Sequence, residues 1–239
     1  MNYAIILSGG TGTRTGADIP KQYVRVGGHM MVTYAVKPLI LSEHTDRIVI
    51  VCADDWYGDI LKDIKDSGLD ITKITGHTQP GDTRQLSILN GIIYIIEETG
   101  TADPSDTVLI HDAARPFLTE DLIAGCYSAL LEDAGTDGVM PVLPMKDTVY
   151  LSNDGRTINS LIDRSTVYAG QAPELFKLKS YHEANLRLLP DNIKKINGAS
   201  EPAVMAGMKI AMIPGDERNI KITSGEDLEY FLKFFQNHL

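Results

Sequence analysis

Residues 4–23 read AIILSGGTGTRTGADIPKQY, and their order of apolar and glycine residues indicates the class of fold. The apolar run at residues 3–7 predicts a β-strand, which leads directly into a glycine-rich loop that begins at Ser8. Glycine lets the backbone approach a phosphate closely and turn its N–H groups toward it. A buried strand that ends in such a loop predicts an α/β fold with an anion-binding site at the carboxyl end of the strand.

Outward from this stretch, strand-like apolar runs alternate with helix-like segments. Further strand candidates cover residues 47–52, 107–110 (running on to 113), 138–143 and 209–214. Apolar residues at helical spacing cover residues 31–40, 56–66, 84–98, 120–131, 178–188 and 227–235. This alternation predicts βαβ units around a mostly parallel sheet.

The alternation breaks after Met145. Residues 147–168 contain β-type segments around the turn signal Asn153-Asp154-Gly155. We therefore expect a β-hairpin arm, at about residues 146–168, inserted into the α/β core. No repeat or low-complexity tract interrupts the sequence, so the prediction is one domain, residues 1–239, that carries this arm.

Composition narrows the partners. The formal net charge of −10 and the lack of a Lys/Arg run argue against nucleic acid. No run of about eighteen apolar residues predicts a membrane span, and the N-terminus does not resemble a signal peptide. The two cysteines, Cys52 and Cys126, lack metal-ligand spacing and lie in apolar segments, so we expect both in the core of a cytoplasmic protein.

Two cations accompany the glycine-rich loop. Arg14 and Lys21 supply the fixed positive charge that a triphosphate needs, although ordinary surface cations beside a tight turn are the alternative. The Walker pattern GxxxxGK(S/T) is absent. The dinucleotide pattern GxGxxG fails because Gly16 comes one residue late, which disfavours a nicotinamide-dependent oxidoreductase.

A second signal, HDAARP at residues 111–116, follows the apolar run at 107–110. An aspartate at the end of a buried strand points into the ligand cleft of an open α/β sheet, and Mg²⁺ needs only one or two carboxylates beside substrate phosphates. Asp112 is therefore a candidate magnesium ligand. The alternative is that Asp112 caps the next turn and pairs with Arg115. His111 is given no catalytic role.

Together these motifs resemble the cytidylyltransferases that act on 2-C-methyl-D-erythritol 4-phosphate or D-ribitol 5-phosphate. The resemblance covers nearly the whole chain. Beyond LSGGTGTR, PKQY and HDAARP, it is carried by Gly81-Asp82-Thr83-Arg84 with Ser87, Lys146-Asp147-Thr148, Asp163-Arg164, Gln171-Ala172-Pro173 and Asn219-Ile220-Lys221-Ile222-Thr223. It implies a Rossmann-like three-layer nucleotidyltransferase fold, with CTP and a polyol phosphate as substrates, magnesium as cofactor and pyrophosphate as a product.

The resemblance also implies roles for individual residues. Arg14, Lys21 and Lys221 would be catalytic, and Asp112 would hold the metal. The nucleotide would be bound by Ser8, Gly9, Gly10, Thr11, Gly12, Thr13, Arg14, Lys21, Gly81, Asp82, Ser87 and Asp112. Asp82 suits a second role as cap of the helix that begins near Thr83.

The acceptor site that the resemblance implies involves the arm. Thr148 and Arg164 on the arm, with Arg115 and Lys221, would bind the polyol phosphate, and the arm would cross to the partner subunit of a homodimer. On residue chemistry alone, an arginine on an exposed hairpin is more often a solvated surface charge.

Departures from the family pattern bear on the acceptor. Residues 196–202 read INGASEP where the family has a threonine and an adjoining acidic residue, for which Glu201 is a substitute, and Arg218 replaces an acidic residue. These departures leave the CTP chemistry unaffected. The loop at residues 8–14 and the stretch at 168–173 are more similar to the ribitol phosphate enzymes, which favours ribitol 5-phosphate and CDP-ribitol for a cell-surface polymer. Methylerythritol phosphate in isoprenoid synthesis is the alternative. A non-catalytic nucleotide-binding protein is disfavoured by Arg14, Lys21 and Asp112 together.

Overall fold

The computed structural model describes residues 1–10, 19–100 and 103–236. The helices are α1 (Met31–Leu41), α2 (Asp54–Asp66), α3 (Arg84–Thr99), α4 (Glu120–Glu132), α5 (Leu178–Leu186), α6 (Glu201–Met205) and α7 (Gly225–Gln236). The strands are β1 (Asn2–Leu7), β2 (Arg25–Val26), β3 (His29–Met30), β4 (Arg47–Val51), β5 (Ile74–Thr78), β6 (Thr107–Asp112), β7 (Gly138–Pro144), β8 (Val149–Leu151), β9 (Ser160–Ile162), β10 (Tyr168–Gly170), β11 (Glu174–Lys177) and β12 (Ile210–Pro214). Short 3₁₀ helices cover Lys21–Tyr23, Arg164–Thr166 and Asn192–Lys195.

The main sheet is mostly parallel, as predicted. Its strands run in the order β10-β7-β11-β6-β1-β4-β5. The last strand, β12, also pairs with β7, in parallel. β1 is central and pairs in parallel with both β4 and β6. Two antiparallel strands, β10 and β11, lie beside β7. The predicted run of alternating strands and helices is therefore confirmed, while the short strands β2, β3, β5, β10 and β11 were missed by the apolar pattern.

Helices cover both faces of the sheet and give three layers. Side chains alternate between the faces of a strand, so Ala4 and Ile6 pack with α1, α2 and α4, whereas Tyr3 and Ile5 pack with α3 and α5. Because both faces are covered, the central strands are continuous apolar runs. Cys52 and Cys126 are buried, unpaired and part of the first of these cores, as predicted.

A β-hairpin lies where the arm was predicted, since β8 and β9 pair antiparallel. Its turn contains Gly155 at φ 70°, a left-handed conformation that glycine adopts without strain. The Asp154 carboxylate accepts hydrogen bonds from the backbone N–H groups of Arg156 and Thr157, which fixes the turn. Most of the hairpin surface is exposed, including Ile158 (68%) and Leu161 (65%).

In the described part of the chain, no helix has the length and apolar character needed to cross a membrane. The single-domain organisation and the cytoplasmic location stay predictions.

Candidate active site

A cavity opens at the edge of the sheet where β1 and β6 end. These strands are parallel and in register, with Leu7 opposite Asp112, so their carboxyl ends meet at one place. The cavity measures about 550 Å³. It is lined by backbone and side chains of Leu7, Gly9, Gly10, Lys21, Gln22, Gly81, Asp82, Thr83, Arg84, Ser87, Asp112, Ala114 and Lys221.

The backbone that follows β1 is held by the next short helix. The Gln22 amide nitrogen donates to the carbonyl oxygens of Ser8 (2.8 Å) and Gly10 (2.6 Å). The Tyr23 hydroxyl donates to the same Ser8 carbonyl at 2.7 Å, and the Tyr23 ring stacks on Trp56 with centroids 4.1 Å apart. The Ser8 carbonyl therefore uses both of its lone pairs inside the protein and cannot accept a hydrogen bond from a bound base.

Only glycine fits at position 9, because Pro80 lies directly against it. A Cβ atom at Gly9 would lie 2.3 Å from the Cβ of Pro80, which is closer than two non-bonded carbon atoms approach each other. The backbone at Gly9 thus packs directly against the segment that precedes α3. This contact brings the first loop and the Gly81 segment together as two walls of one cavity.

The wall before α3 is ordered by hydroxyl groups. The Gly81 N–H donates to Ser87 Oγ at 3.0 Å, and Ser87 Oγ donates to the Thr83 carbonyl at 3.0 Å. Thr83 caps α3, because its side chain accepts from the Leu86 N–H. The alternative role of Asp82 as the helix cap is therefore wrong, and its exposed side chain is available to the cavity.

Asp112 carries a carboxylate bound by two cations. Arg84 donates from Nε and Nη2 to Oδ1, both at 3.1 Å, and Lys221 Nζ lies 2.8 Å from Oδ2. Burial raises the pKa of Asp112, but Arg84 and Lys221 outweigh it and hold that pKa well below its usual range. The carboxylate is therefore ionised at neutral pH and presents a hard oxygen donor at the cavity wall.

A second buried acid lies behind Arg84. Glu174, only 7% exposed, places Oε1 3.5 Å from Arg84 Nη2. Burial raises the pKa of Glu174, and Arg84 partly offsets that effect. Glu174, Arg84, Asp112 and Lys221 thus form a row of alternating charge, in which each cation contacts a carboxylate. Such pairing is what allows charged groups to remain in a buried site.

The two predicted catalytic lysines meet at the same segment of chain. Lys21 Nζ donates to the carbonyl of Ile222 at 2.5 Å, next to Lys221. Both lysines line the cavity. The short helix at Lys21–Tyr23 therefore contacts the first loop through Gln22 and the Lys221 segment through Lys21.

Arg115 and His111 do not line the cavity. Arg115 donates to the Asn219 carbonyl at 2.5 Å rather than to Asp112, so the expected alternative pairing of Arg115 with Asp112 is wrong. Burial lowers the pKa of the Arg115 guanidinium. His111 is fully buried, contacts the Arg115 carbonyl, and has a pKa lowered by burial to about 4, so it is a neutral packed side chain.

The predicted residues therefore separate into groups. The cavity brings together Gly9, Gly10, Lys21, Gly81, Asp82, Ser87, Asp112 and Lys221. Thr11, Gly12, Thr13 and Arg14 lie outside the described residues. Thr148 and Arg164 are exposed on the arm, where Arg164 donates to the Lys146 carbonyl, and neither lines the cavity. The roles of all these residues stay predictions.

Gln22 and Arg84 line the cavity but were given no role from the sequence. The signal for Arg84 was its place as the first residue of a helix, where a cation opposes the helix dipole unless a carboxylate compensates. Glu174 carried no comparable signal, because its partner Arg84 is remote in sequence.

The departures from the family pattern have local explanations. Glu201 accepts from the backbone N–H of Asn197 at 2.9 Å and so closes its own turn. It does not line the cavity, so its role as a substitute acidic residue there finds no support in the geometry. Arg218 pairs with Asp216, Nη2 to Oδ2 2.8 Å, on the surface.

The cavity offers one carboxylate, that of Asp112, that is suited to magnesium. No group of three or more His, Cys, Asp or Glu residues within residues 1–10, 19–100 and 103–236 is arranged to hold a metal. A single ionised carboxylate in a cavity lined by cations fits Mg²⁺ when substrate phosphates supply the remaining ligands. Asp112 meets that description.

A mostly parallel α/β sheet whose strand ends adjoin glycine backbone, two cavity-lining lysines and one ionised aspartate is typical of a nucleotidyltransferase. The family model of 2-C-methyl-D-erythritol 4-phosphate cytidylyltransferase matches residues 2–233. The chain belongs to this family and is a cytidylyltransferase.

Relatives carry two kinds of name. The chain is 31% identical over 233 residues to the 2-C-methyl-D-erythritol 4-phosphate cytidylyltransferase of Lachnospira eligens, covering 96% of each chain. It is also 31% identical over 233 residues to the ribitol-5-phosphate cytidylyltransferase of Lactiplantibacillus plantarum, covering 95% of each. The crystal structure of 4-diphosphocytidyl-2C-methyl-D-erythritol synthase from Anaerococcus prevotii matches with a TM-score of 0.79 and 27% identity, covering 98% of this chain and 96% of that one.

Proposed function

We propose that the protein transfers the cytidylyl group of CTP to the phosphate of a polyol phosphate and releases pyrophosphate. The observation that carries this proposal is the Asp112 carboxylate, kept ionised by Arg84 and Lys221 at the wall of a cavity built on glycine backbone. The cavity offers both cations and exposed backbone, the two features that bind a triphosphate. Membership of the family indicates cytidylyl transfer, and the cavity is where we expect that reaction to occur.

The proposed reaction is an in-line displacement at phosphorus. An oxygen of the acceptor phosphate bonds to the α-phosphorus of CTP, and the bond from that phosphorus to the bridging oxygen breaks, so the pair of electrons leaves with pyrophosphate. Catalysis then consists of positioning and of stabilising negative charge. Lys21 and Lys221 would supply positive charge that stabilises these phosphate oxygens, together with Arg14. Mg²⁺ held by Asp112 would neutralise phosphate oxygens when bound.

Cytosine would be bound where the two glycine walls meet. The available groups are the backbone at Gly9, Gly10 and Gly81, and the exposed carboxylate of Asp82. Cytosine differs from uracil by an amino donor at N4, which a carbonyl or carboxylate acceptor distinguishes. Because the Ser8 carbonyl is saturated, this acceptor is expected among the remaining groups.

The acceptor remains a choice between two polyol phosphates. We infer that 2-C-methyl-D-erythritol 4-phosphate is the first candidate, because the family model and the relative from Lachnospira eligens bear that name. Ribitol 5-phosphate, which the sequence pattern favours, is the second. The relative from Lactiplantibacillus plantarum, named for it, is as similar in sequence. The loop at residues 8–14 and the stretch at 168–173 support the second candidate.

The arm favours a homodimer. Apolar side chains along it are exposed, including Tyr150 (53%), Leu161 (65%) and Ile158 (68%). Exposed apolar side chains grouped on one element are typical of an interface. In a twofold dimer each arm would contact the other subunit, so Thr148 and Arg164 would complete the acceptor site of the partner.

The test is pyrophosphate release with CTP and magnesium, assayed with the two acceptors side by side and with UTP and ATP as control nucleotides. Turnover with one acceptor would establish the reaction and its substrate. CTP binding by calorimetry with no turnover for either acceptor would keep the donor site and reject both acceptors. Absence of CTP binding would overturn the proposed function.

A further inference from the structure

Gln22 is a buried polar residue that the reaction as described does not use. It lies in the middle of the short helix Lys21–Tyr23, is 2% exposed, and lines the cavity. We propose that Gln22 is a positioning residue that holds the backbone of residues 8–10, hereafter the nucleotide loop, in its binding conformation. This inference rests on the proposed function, since it assigns Gln22 to the CTP side of that reaction.

Both N–H donors of the Gln22 side chain are directed at one stretch of backbone. A primary amide has two N–H donors, and Gln22 spends them on the Ser8 carbonyl at 2.8 Å and the Gly10 carbonyl at 2.6 Å. In a planar trans peptide the carbonyl and the following N–H point in opposite directions. By fixing the Ser8 carbonyl, Gln22 therefore fixes the direction of the Gly9 N–H, a donor of the kind that binds anions and bases.

The loop is held from two sides. Gly9 packs so closely on Pro80 that no side chain fits between them, and Gln22 contacts the backbone from within the cavity wall. Lys21, the preceding residue, reaches the Ile222 carbonyl. Gln22 consequently sets the distance between the loop backbone and a predicted phosphate-binding lysine, so its loss affects nucleotide binding before acceptor binding.

Glutamate at this position is the sharpest probe. Gln22→Glu keeps the size of the side chain but replaces two donors with oxygen atoms that would face two carbonyl oxygens. We expect the Kd for CTP, measured by calorimetry without acceptor, to rise about thirtyfold or more, because two hydrogen bonds are lost and replaced by repulsion. The KM for the acceptor should change by less than about threefold, since no contact of Gln22 lies on that side.

A matched control separates positioning from stability. Gln85 is also a buried glutamine (1% exposed), but its amide donates to Tyr181 and Asn185, and it does not line the cavity. Gln85→Glu should lower the Tm by about as much as Gln22→Glu does, because each places a carboxylate in a buried position. It should leave the Kd for CTP unchanged. Gln22→Met, which removes the donors without adding charge, should weaken CTP binding about tenfold.

The outcomes are distinct. If the wild-type protein does not bind CTP, the proposed function itself fails. If the wild-type protein binds CTP and both Gln22 variants bind it within threefold as tightly, the positioning role is wrong. An equal rise in the acceptor KM would also overturn it, because that would show a general structural defect. Should Gln22→Glu not fold, Gln22→Met decides by the same criteria.

Discussion

The cavity at the strand ends and the hairpin arm differ in how their charged residues are supported. In the cavity, Asp112 is 6% exposed and contacts Arg84 and Lys221, which come from two other segments of the same chain. On the arm, Arg164 is exposed, and its guanidinium donates to the backbone carbonyl of Lys146. The cavity charges are thus paired by the fold of this chain, whereas the arm charge rests on a single backbone carbonyl.

The difference follows from solvation. A buried ion pair keeps its geometry without ligand, because separating it would leave a charge unpaired in a poorly solvated place. An exposed arginine gains little from any one orientation, since water solvates it equally well in others. Under the proposed function, the nucleotide half of the site is therefore preformed in this chain, and the acceptor half depends on the subunit that covers the arm.

The largest expected effect is at Lys21. Lys21→Ala should lower kcat by about a hundredfold or more, because it removes a charge that stabilises the transition state. The fold should persist, which a Tm near that of the wild type would show. Lys62→Ala, at an exposed lysine of α2, is the control and should keep full activity. Near-normal turnover by Lys21→Ala would contradict the assigned role.

Arg164→Ala should have a smaller and more selective effect. We expect the acceptor KM to rise about tenfold, the value of one lost hydrogen bond to a charged phosphate. The KM for CTP and the Tm should stay unchanged, because the arm contributes nothing to the cavity of its own chain. An equal rise in the KM for CTP would show that the two regions are not separate.

A mixed dimer tests whether the arm serves the cavity of its own chain or that of the partner subunit. In a heterodimer of Lys21→Ala and Arg164→Ala chains, an arm that crosses to its partner leaves one site intact and one doubly defective. At low acceptor concentration such heterodimers, isolated with two different tags, should show half the wild-type rate, about fivefold above the Arg164→Ala homodimer. A rate below that homodimer would mean that each arm serves its own chain, and a monomer in solution would exclude both arrangements.

The smallest expected effect is at the turn of the arm. Asp154→Ala removes the acceptor for the N–H groups of Arg156 and Thr157 and loosens the hairpin locally. We expect the acceptor KM to rise about two- to threefold, the value of one modest hydrogen bond, without a change in Tm. A lowered Tm would show instead that the arm stabilises the core and is not a separate region.

Sequence patterns predicted what depends on local periodicity and strand ends. The apolar runs located β1 and β6, and their ends located Gly9, Lys21 and Asp112 at one edge. The turn at Asp154-Gly155 located the arm, because its residues favour that turn by themselves. These features need no knowledge of which strands become neighbours.

The partners of Asp112 needed that knowledge. Arg84 lies 28 residues from Asp112 in sequence, and Glu174 belongs to β11, an antiparallel strand inserted beside β6. No periodicity encodes that insertion, so the row of alternating charge could not be predicted. β5 was missed because Gly76 interrupts a short, half-buried strand. Asp82 was expected to cap α3, but the hydroxyl one residue later does so.

One aromatic contact turns the protein into its own optical probe. Trp56 is the only tryptophan of the chain and stacks on Tyr23, whose hydroxyl holds the Ser8 carbonyl of the nucleotide loop. Indole emission responds to the packing and polarity around the ring, and the stacked geometry makes Tyr23 its nearest aromatic neighbour. Ligands that reorder this loop will therefore be visible in the intrinsic fluorescence of the unlabelled protein, from a single emitting residue.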